Sequence, residues 1–141
     1  MNLQFQPASD VDIAVIYAQA QQLIDTYEEI DRIDYPKVLA WMRQKIESNI
    51  CCYTRVMIDG TPCGYYRLCD DGELDDFYIL PEYQNRGIGA AVLEKCIAQS
   101  PVTIYLYVFS RNLRAISFYQ RFGFTLRQTI GKTRWIMERK G

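Results

Sequence analysis

Apolar positions set the architecture of this chain by the distances at which they recur. After Ser9-Asp10-Val11-Asp12, a helix-capping signal, Ile13, Ile16, Tyr17, Ala20, Leu23, Ile24 and Tyr27 follow at spacings of three and four and predict a helix from about residue 10 to 27. Pro36, suited to a first helical turn, opens a second helix with Leu39, Met42 and Ile46 on one face. The pattern then changes. Cys51 to Ile58 and Pro62 to Cys69 are β-prone runs around Asp59-Gly60, a strong turn dipeptide, and predict a hairpin. Glu73 to Leu80 reads as the next strand, stopped by Pro81, which cannot donate to a ladder.

Ile88, Val92, Leu93, Cys96 and Ile97 form a helix face that Pro101 ends. From there Val102, Ile104, Leu106 and Val108 alternate with Thr103, Tyr105 and Tyr107, as a strand requires. Ala115, Phe118, Tyr119 and Phe122 are the expected buried stripe of a further helix, with Gly123 as its stop. Two strands near 124 to 130 and 133 to 139, joined at Gly131, complete the chain. With a short strand at 2 to 6, the order is β-α-α-β-β-β-α-β-α-β-β.

The 141 residues predict one domain, 1 to 141, with no room for a separate substrate domain. A net charge of -1 argues against general nucleic-acid binding. No stretch approaches the roughly 18 apolar residues that span a bilayer, and the first residues lack a signal-peptide pattern, so a cytoplasmic protein free of membrane is expected. Cys51, Cys52, Cys63, Cys69 and Cys96 are odd in number and scattered, and read as reduced, structural thiols. Cys51 and Cys52, adjacent in the predicted strand, are expected on its opposite faces. The chain has no histidine, which removes Ser-His-Asp hydrolysis and the usual zinc sets, and no metal is expected.

Chemistry is concentrated in Gln84-Asn85-Arg86-Gly87-Ile88-Gly89-Ala90, between a strand and a helix. Gly87 and Gly89 offer no side chain to block a ligand, so backbone N–H groups can converge on an anion at the positive end of the following helix. A dinucleotide fingerprint would need a third glycine where Val92 stands, and a Walker loop would need Gly-Lys-Ser/Thr. Neither is present. Taken alone, the loop also reads as a tight turn.

Downstream lie Asn112-Leu113-Arg114-Ala115-Ile116-Ser117-Phe118-Tyr119 and Arg121-Phe122-Gly123-Phe124. Together with the glycine loop they resemble the Gcn5-related N-acetyltransferases, over nearly the whole chain and most specifically over residues 73 to 124. The resemblance implies an α/β single-domain fold, a mixed, mostly antiparallel twisted sheet of six to seven strands flanked by about four helices. It implies acetyl-CoA as co-substrate. Gln84, Asn85, Arg86, Gly87, Ile88, Gly89 and Ala90 would bind its pyrophosphate, main-chain groups near Phe77 and Ile79 its pantetheine arm, and Asn112 the same arm. Arg86 reads equally as a solvated arginine.

Tyr119 falls on the family's tyrosine that donates to the leaving thiolate, and Glu73 on the glutamate that takes the amine proton in histone-type members. Asp75, Asp76 and ordered water compete with Glu73, and a bulge in this strand would change which acid faces the cofactor. Acids at 70 to 76, with Glu28, Glu29, Asp31 and Asp34 where the family's acceptor wall lies, point to a cationic amine: a small polyamine or aminoglycoside-like cation, a lysine side chain or a protein N-terminus. A homodimer is left open. The rival readings are a coenzyme A sensor without turnover and a protein-interface subunit using Tyr105 to Phe109.

Overall fold

The computed structural model describes residues 1–100 and 102–141; the expected helix stop at Pro101 lies outside the described residues. Among the described residues, seven strands and four α-helices follow the expected order: β1 (Leu3–Pro7), α1 (Ile13–Tyr27), α2 (Tyr35–Asn49), β2 (Thr54–Ile58), β3 (Thr61–Leu68), β4 (Leu74–Ile79), α3 (Ile88–Gln99), β5 (Ile104–Phe109), α4 (Leu113–Arg121), β6 (Thr125–Ile130) and β7 (Arg134–Arg139). The strands form two antiparallel sheets, ordered β1-β2-β3-β4 and β5-β7-β6. A single residue pair, Glu73 with Tyr105, bridges β4 to β5 in parallel among the described residues.

That junction rests on a close backbone approach. Gly72 has φ +98°, and a Cβ placed there would lie 2.2 Å from the Thr103 carbonyl oxygen, so a side chain is excluded on both grounds. The Gly72 carbonyl accepts from Tyr105 N–H at 3.0 Å, tying the turn to β5.

Helices cover both faces of the sheets. Ile88, Val92, Leu93 and Cys96 of α3 and Ile116 of α4 pack in the main core with Leu106, Phe124 and Met137. On the opposite face Ile16 and Ile46 of α1 and α2 pack on Tyr53 and Tyr65. Asp12, buried at the start of α1, accepts from Arg55 Nη1 at 2.7 Å and Tyr65 Oη at 2.8 Å, which fixes the helix over β2 and β3.

Three expectations need correction. Cys51 and Cys52 lie in a one-turn 3₁₀ segment, Ile50–Cys52, and both are exposed, because α2 runs to Asn49 and leaves no length for a strand before Thr54. The buried residue of α4 is Ile116; Ala115, Phe118, Tyr119 and Phe122 are partly buried around it, and Ala115 and Tyr119 border a cleft. Glu73 precedes β4 as the bridge residue and is not part of the strand itself. No helix among the described residues is long and apolar enough to cross a membrane.

Candidate active site

β4 and β5 meet at Glu73 and Tyr105 and pair no further among the described residues, so the facing edge of β4 stays open. Leu80 N–H donates to Cys63 and Tyr78 sits opposite Tyr65, so strand alternation turns the main-chain groups of Phe77 and Ile79 toward that open edge. The Ile79 carbonyl is already taken by Gln84 Nε2 at 3.0 Å. Around the opening lies a cleft of about 940 Å³ bordered by α1, α2, β4, β5 and α4. Glu73, Phe77, Ile79, Gln84, Asn112 and Tyr119 all line it.

A one-turn 3₁₀ segment, Pro81–Tyr83, leads from β4 into the glycine loop. Asn85 (φ 63°) and Gly87 (φ 79°) both take left-handed backbone, and Gly87 holds the position before α3 with no side chain to cap it. The first main-chain bond of this helix runs from Ala91 N–H to Gly87 at 3.1 Å. The N–H groups of Ile88, Gly89 and Ala90 therefore have no partner within the helix and stand at its positive end. A Cβ at Gly87 would meet only Met1 Cε at 4.0 Å, so what it would fill is open space in front of those donors. This arrangement fits a pyrophosphate.

Gly89 differs, because a Cβ there would make ordinary 3.6 Å contacts with Ile79 and Phe118. Ile88 offers only its backbone, its side chain being buried in the core. Arg86 lies over the Tyr83 ring at 5.5 Å, and Arg114 reaches Asn85 Oδ1 from α4 with Nη2. Arg114 is a cation beside the loop that motif reading passed over, although it stands inside the second motif.

Asn112 caps α4, its Oδ1 accepting from Ala115 N–H at 3.2 Å, which leaves the amide NH2 to face the cleft. Two turns on, Tyr119 packs against Phe118 and Phe124 with ring centroids at 5.4 and 5.6 Å. Burial, reinforced by the nearby Cys96, pushes its phenol above the ordinary range, so the hydroxyl stays protonated. Cys96 is itself buried in the core and raised to about 11 by that burial, as a structural thiol should be.

The acids separate sharply. β4 carries one extra residue where Tyr65 and Arg67 face Tyr78 and Asp75, and Asp76 absorbs it with φ 47°. Asp75 accepts from Arg67 Nη2 at 2.7 Å and Lys45 Nζ at 3.0 Å. Asp76 accepts from Tyr53 and Tyr78 hydroxyls at 2.5 and 2.7 Å and pairs with Lys45 at 3.0 Å. Burial pulls the Lys45 ammonium downward, but the two carboxylates outweigh it and hold the group above its usual range.

Glu73 has no ion pair among the described residues. Burial, then the Asp75 charge, raises its carboxyl above the usual range. A partly buried carboxylate with a raised proton affinity at the edge of a cleft is suited to accept a proton.

Of the four acids after α1, Glu28, Glu29 and Asp34 are engaged, while Asp31 is exposed with no partner among the described residues. Glu28 pairs with Arg134 at 3.7 Å, and Glu29 with Arg32 at 2.8 Å and Arg111 at 3.0 Å. Asp34 caps α2 through Lys37 N–H at 3.3 Å. Cys69, Asp71 and Glu73 bring ligand-type atoms within 4.8 Å of one another, but the two Asp71 oxygens already accept from Glu73 N–H and the Tyr105 hydroxyl.

The sequence profile of the acetyltransferase (GNAT) family matches residues 17–124. The chain belongs to this family. A spermine/spermidine N(1)-acetyltransferase of Bacillus subtilis is 41% identical over 56 residues, 36% of this chain and 37% of the relative, so the chain matches little more than a third of that protein's length. The PaiA N-acetyltransferase of Thermoplasma acidophilum, solved with coenzyme A, shares the fold over the full length of both chains with a TM-score of 0.66 and 24% identity. An acetyltransferase of Thermus thermophilus covers 100% of this chain and 98% of its own, with a TM-score of 0.73 and 20% identity. Membership thus agrees with the open strand edge and the uncapped start of α3.

Proposed function

We propose that this GNAT member transfers an acetyl group from acetyl-CoA to a primary amine by direct attack of the amine nitrogen. The observation that carries the reading is the pairing of an uncapped α3 N-terminus with an open β4 edge that ends at an unpaired, partly buried glutamate. The N–H groups of Ile88, Gly89 and Ala90, with Gln84, Asn85 and Arg86 around them, hold the pyrophosphate. Phe77 and Ile79 offer main-chain groups, and Asn112 its NH2, to the pantetheine arm. The thioester supplies an acyl group already activated toward amines.

Glu73 takes one proton from the incoming ammonium, directly or through water, and so frees the nitrogen lone pair that attacks the carbonyl carbon. As the carbon–sulfur bond breaks, the nitrogen sheds its second proton to solvent and negative charge gathers on sulfur. Tyr119 meets that charge with its hydroxyl. An unperturbed thiol has a pKa near 8.5, below a phenol raised by burial, so Tyr119 donates a hydrogen bond and keeps its proton, and the thiolate takes one from solvent. Asp75 and Asp76, each held by cations or hydroxyls, act through the position of Lys45 and Arg67.

Incubating the protein with acetyl-CoA and a panel of amines, while following both free thiol and the acetylated product by mass, tests the proposal. Both products should appear together. Binding of acetyl-CoA with no thiol release for any amine would instead mark a coenzyme A sensor.

A further inference from the structure

The acceptor side of the cleft is charge-balanced and aromatic. Its charged lining consists of Lys45, Arg67 and Arg134 against Glu73, Asp75 and Asp76. Asp75 and Asp76 are engaged as described, which leaves Glu73 as the one carboxylate of this lining without an ion pair among the described residues. Asp71 lies beside Glu73 but outside this lining, and its two oxygens already accept from Glu73 N–H and the Tyr105 hydroxyl. Within the lining an ammonium that lost its hydration would find one carboxylate without an ion pair, and a second or third ammonium would meet carboxylates already held by cations.

Elsewhere the same lining carries large apolar side chains. Trp41 on α2 is 62% exposed and Tyr107 on β5 is 48% exposed, both bordering the cleft. Tyr27 and Phe109, also in the lining, stack on each other with centroids 6.2 Å apart, and Leu23 is part of the same lining. These rings do not form a cage for ammonium, because Lys45 already lies 5.5 Å from the Trp41 centroid and Arg134 5.3 Å from that of Phe109. What they can receive is apolar surface.

Resting on the acetyl-transfer reading above, we propose that the acceptor is a monoamine bearing an aromatic or similarly bulky apolar group, and not a polyamine. Glu73 receives the one ammonium, while Trp41 and Tyr107 flank the apolar part. Lys45 is the specificity residue that withdraws Asp75 and Asp76 from polycations.

The test compares thiol release from acetyl-CoA with 2-phenylethylamine, ethylamine and spermidine at one pH. We expect kcat/KM for 2-phenylethylamine to exceed both others by about tenfold or more, a factor within reach of apolar-pocket discrimination. Trp41→Ala, at an exposed helical position, should raise KM for 2-phenylethylamine about fivefold and leave ethylamine unchanged. Lys45→Gln should raise the rate with spermidine relative to 2-phenylethylamine by freeing two carboxylates. Preference for spermidine in the unaltered protein, or equal losses for both monoamines in Trp41→Ala, would overturn the inference while leaving acetyl transfer intact. Thiol release with none of the three, nor with any other amine, would overturn both.

Discussion

Glu73 and Tyr105 form the one parallel bridge between the two sheets among the described residues, and β4 and β5 part immediately beyond it. The candidate base therefore stands at the vertex of the opening, and the main-chain edge assigned to the pantetheine arm begins a few residues further along β4. The position of Glu73 relative to that strand edge is thus fixed by backbone pairing, which is stiffer than any side-chain contact.

The vertex depends on Gly72. Gly72→Ala would force a Cβ to within 2.2 Å of the Thr103 carbonyl oxygen at φ +98°, so the turn must move. A loss of about 2 to 3 kcal/mol is expected, the range of strained backbone positions, measured as a lower urea midpoint with little change in slope. An unaltered midpoint would show that the turn is free to relax.

Acetyl-CoA should raise the melting temperature with the logarithm of its concentration, by an amount equal to about 2.7 kcal/mol at 100 times Kd. Gly87→Asp places volume and negative charge in the space before the free N–H groups of α3 and should remove that shift. A retained shift would dissociate the loop from the pyrophosphate.

Tyr119→Phe keeps the ring against Phe118 and Phe124 and deletes only the hydroxyl. If the hydroxyl stabilises the departing sulfur, turnover should fall roughly 100- to 1,000-fold, as for other donors aimed at developing charge. The acetyl-CoA thermal shift should persist. Turnover within about threefold of the unaltered protein, well outside that range, would make Tyr119 a packing residue.

Most of the fold was legible because its signals are local. The apolar spacing of α1 and α3, Asp59-Gly60 between β2 and β3, and the glycine loop each reside within a few neighbouring residues, and the structure places them where the sequence predicts. The loop geometry at the start of α3, on which the proposed cofactor contacts rest, was legible for the same reason. The acceptor half of the candidate site was not, because the state of each acid depends on partners far along the chain: Asp75 on Lys45 thirty residues away, Glu29 on Arg111 eighty-two away. Counting acids in sequence could not reveal that Glu28 and Glu29 are matched by arginines. The bulge at Asp76, which turns that carboxylate toward Tyr53 and Tyr78, is also a property of strand pairing and leaves no composition signal. The expected stripe on α4 followed the aromatic residues, which are only partly buried, whereas Ile116 between them carries the burial.

Proton acceptance by Glu73 is read out by the pH dependence of Glu73→Gln. Because burial raises the Glu73 carboxyl, ionising it costs folding stability above its unfolded value, and the glutamine variant should melt at or above the unaltered protein near neutrality while losing this advantage in acid. Activity should move the other way. In the variant, kcat/KM for the amine should fall most near neutral pH, where Glu73 is ionised and the amine is still charged, and recover as pH nears the amine pKa. Asp75→Asn and Asp76→Asn, assayed in parallel, should lack that recovery. A loss in Glu73→Gln that is equal at every pH, or no loss at all, would contradict the assignment of Glu73 as the proton acceptor.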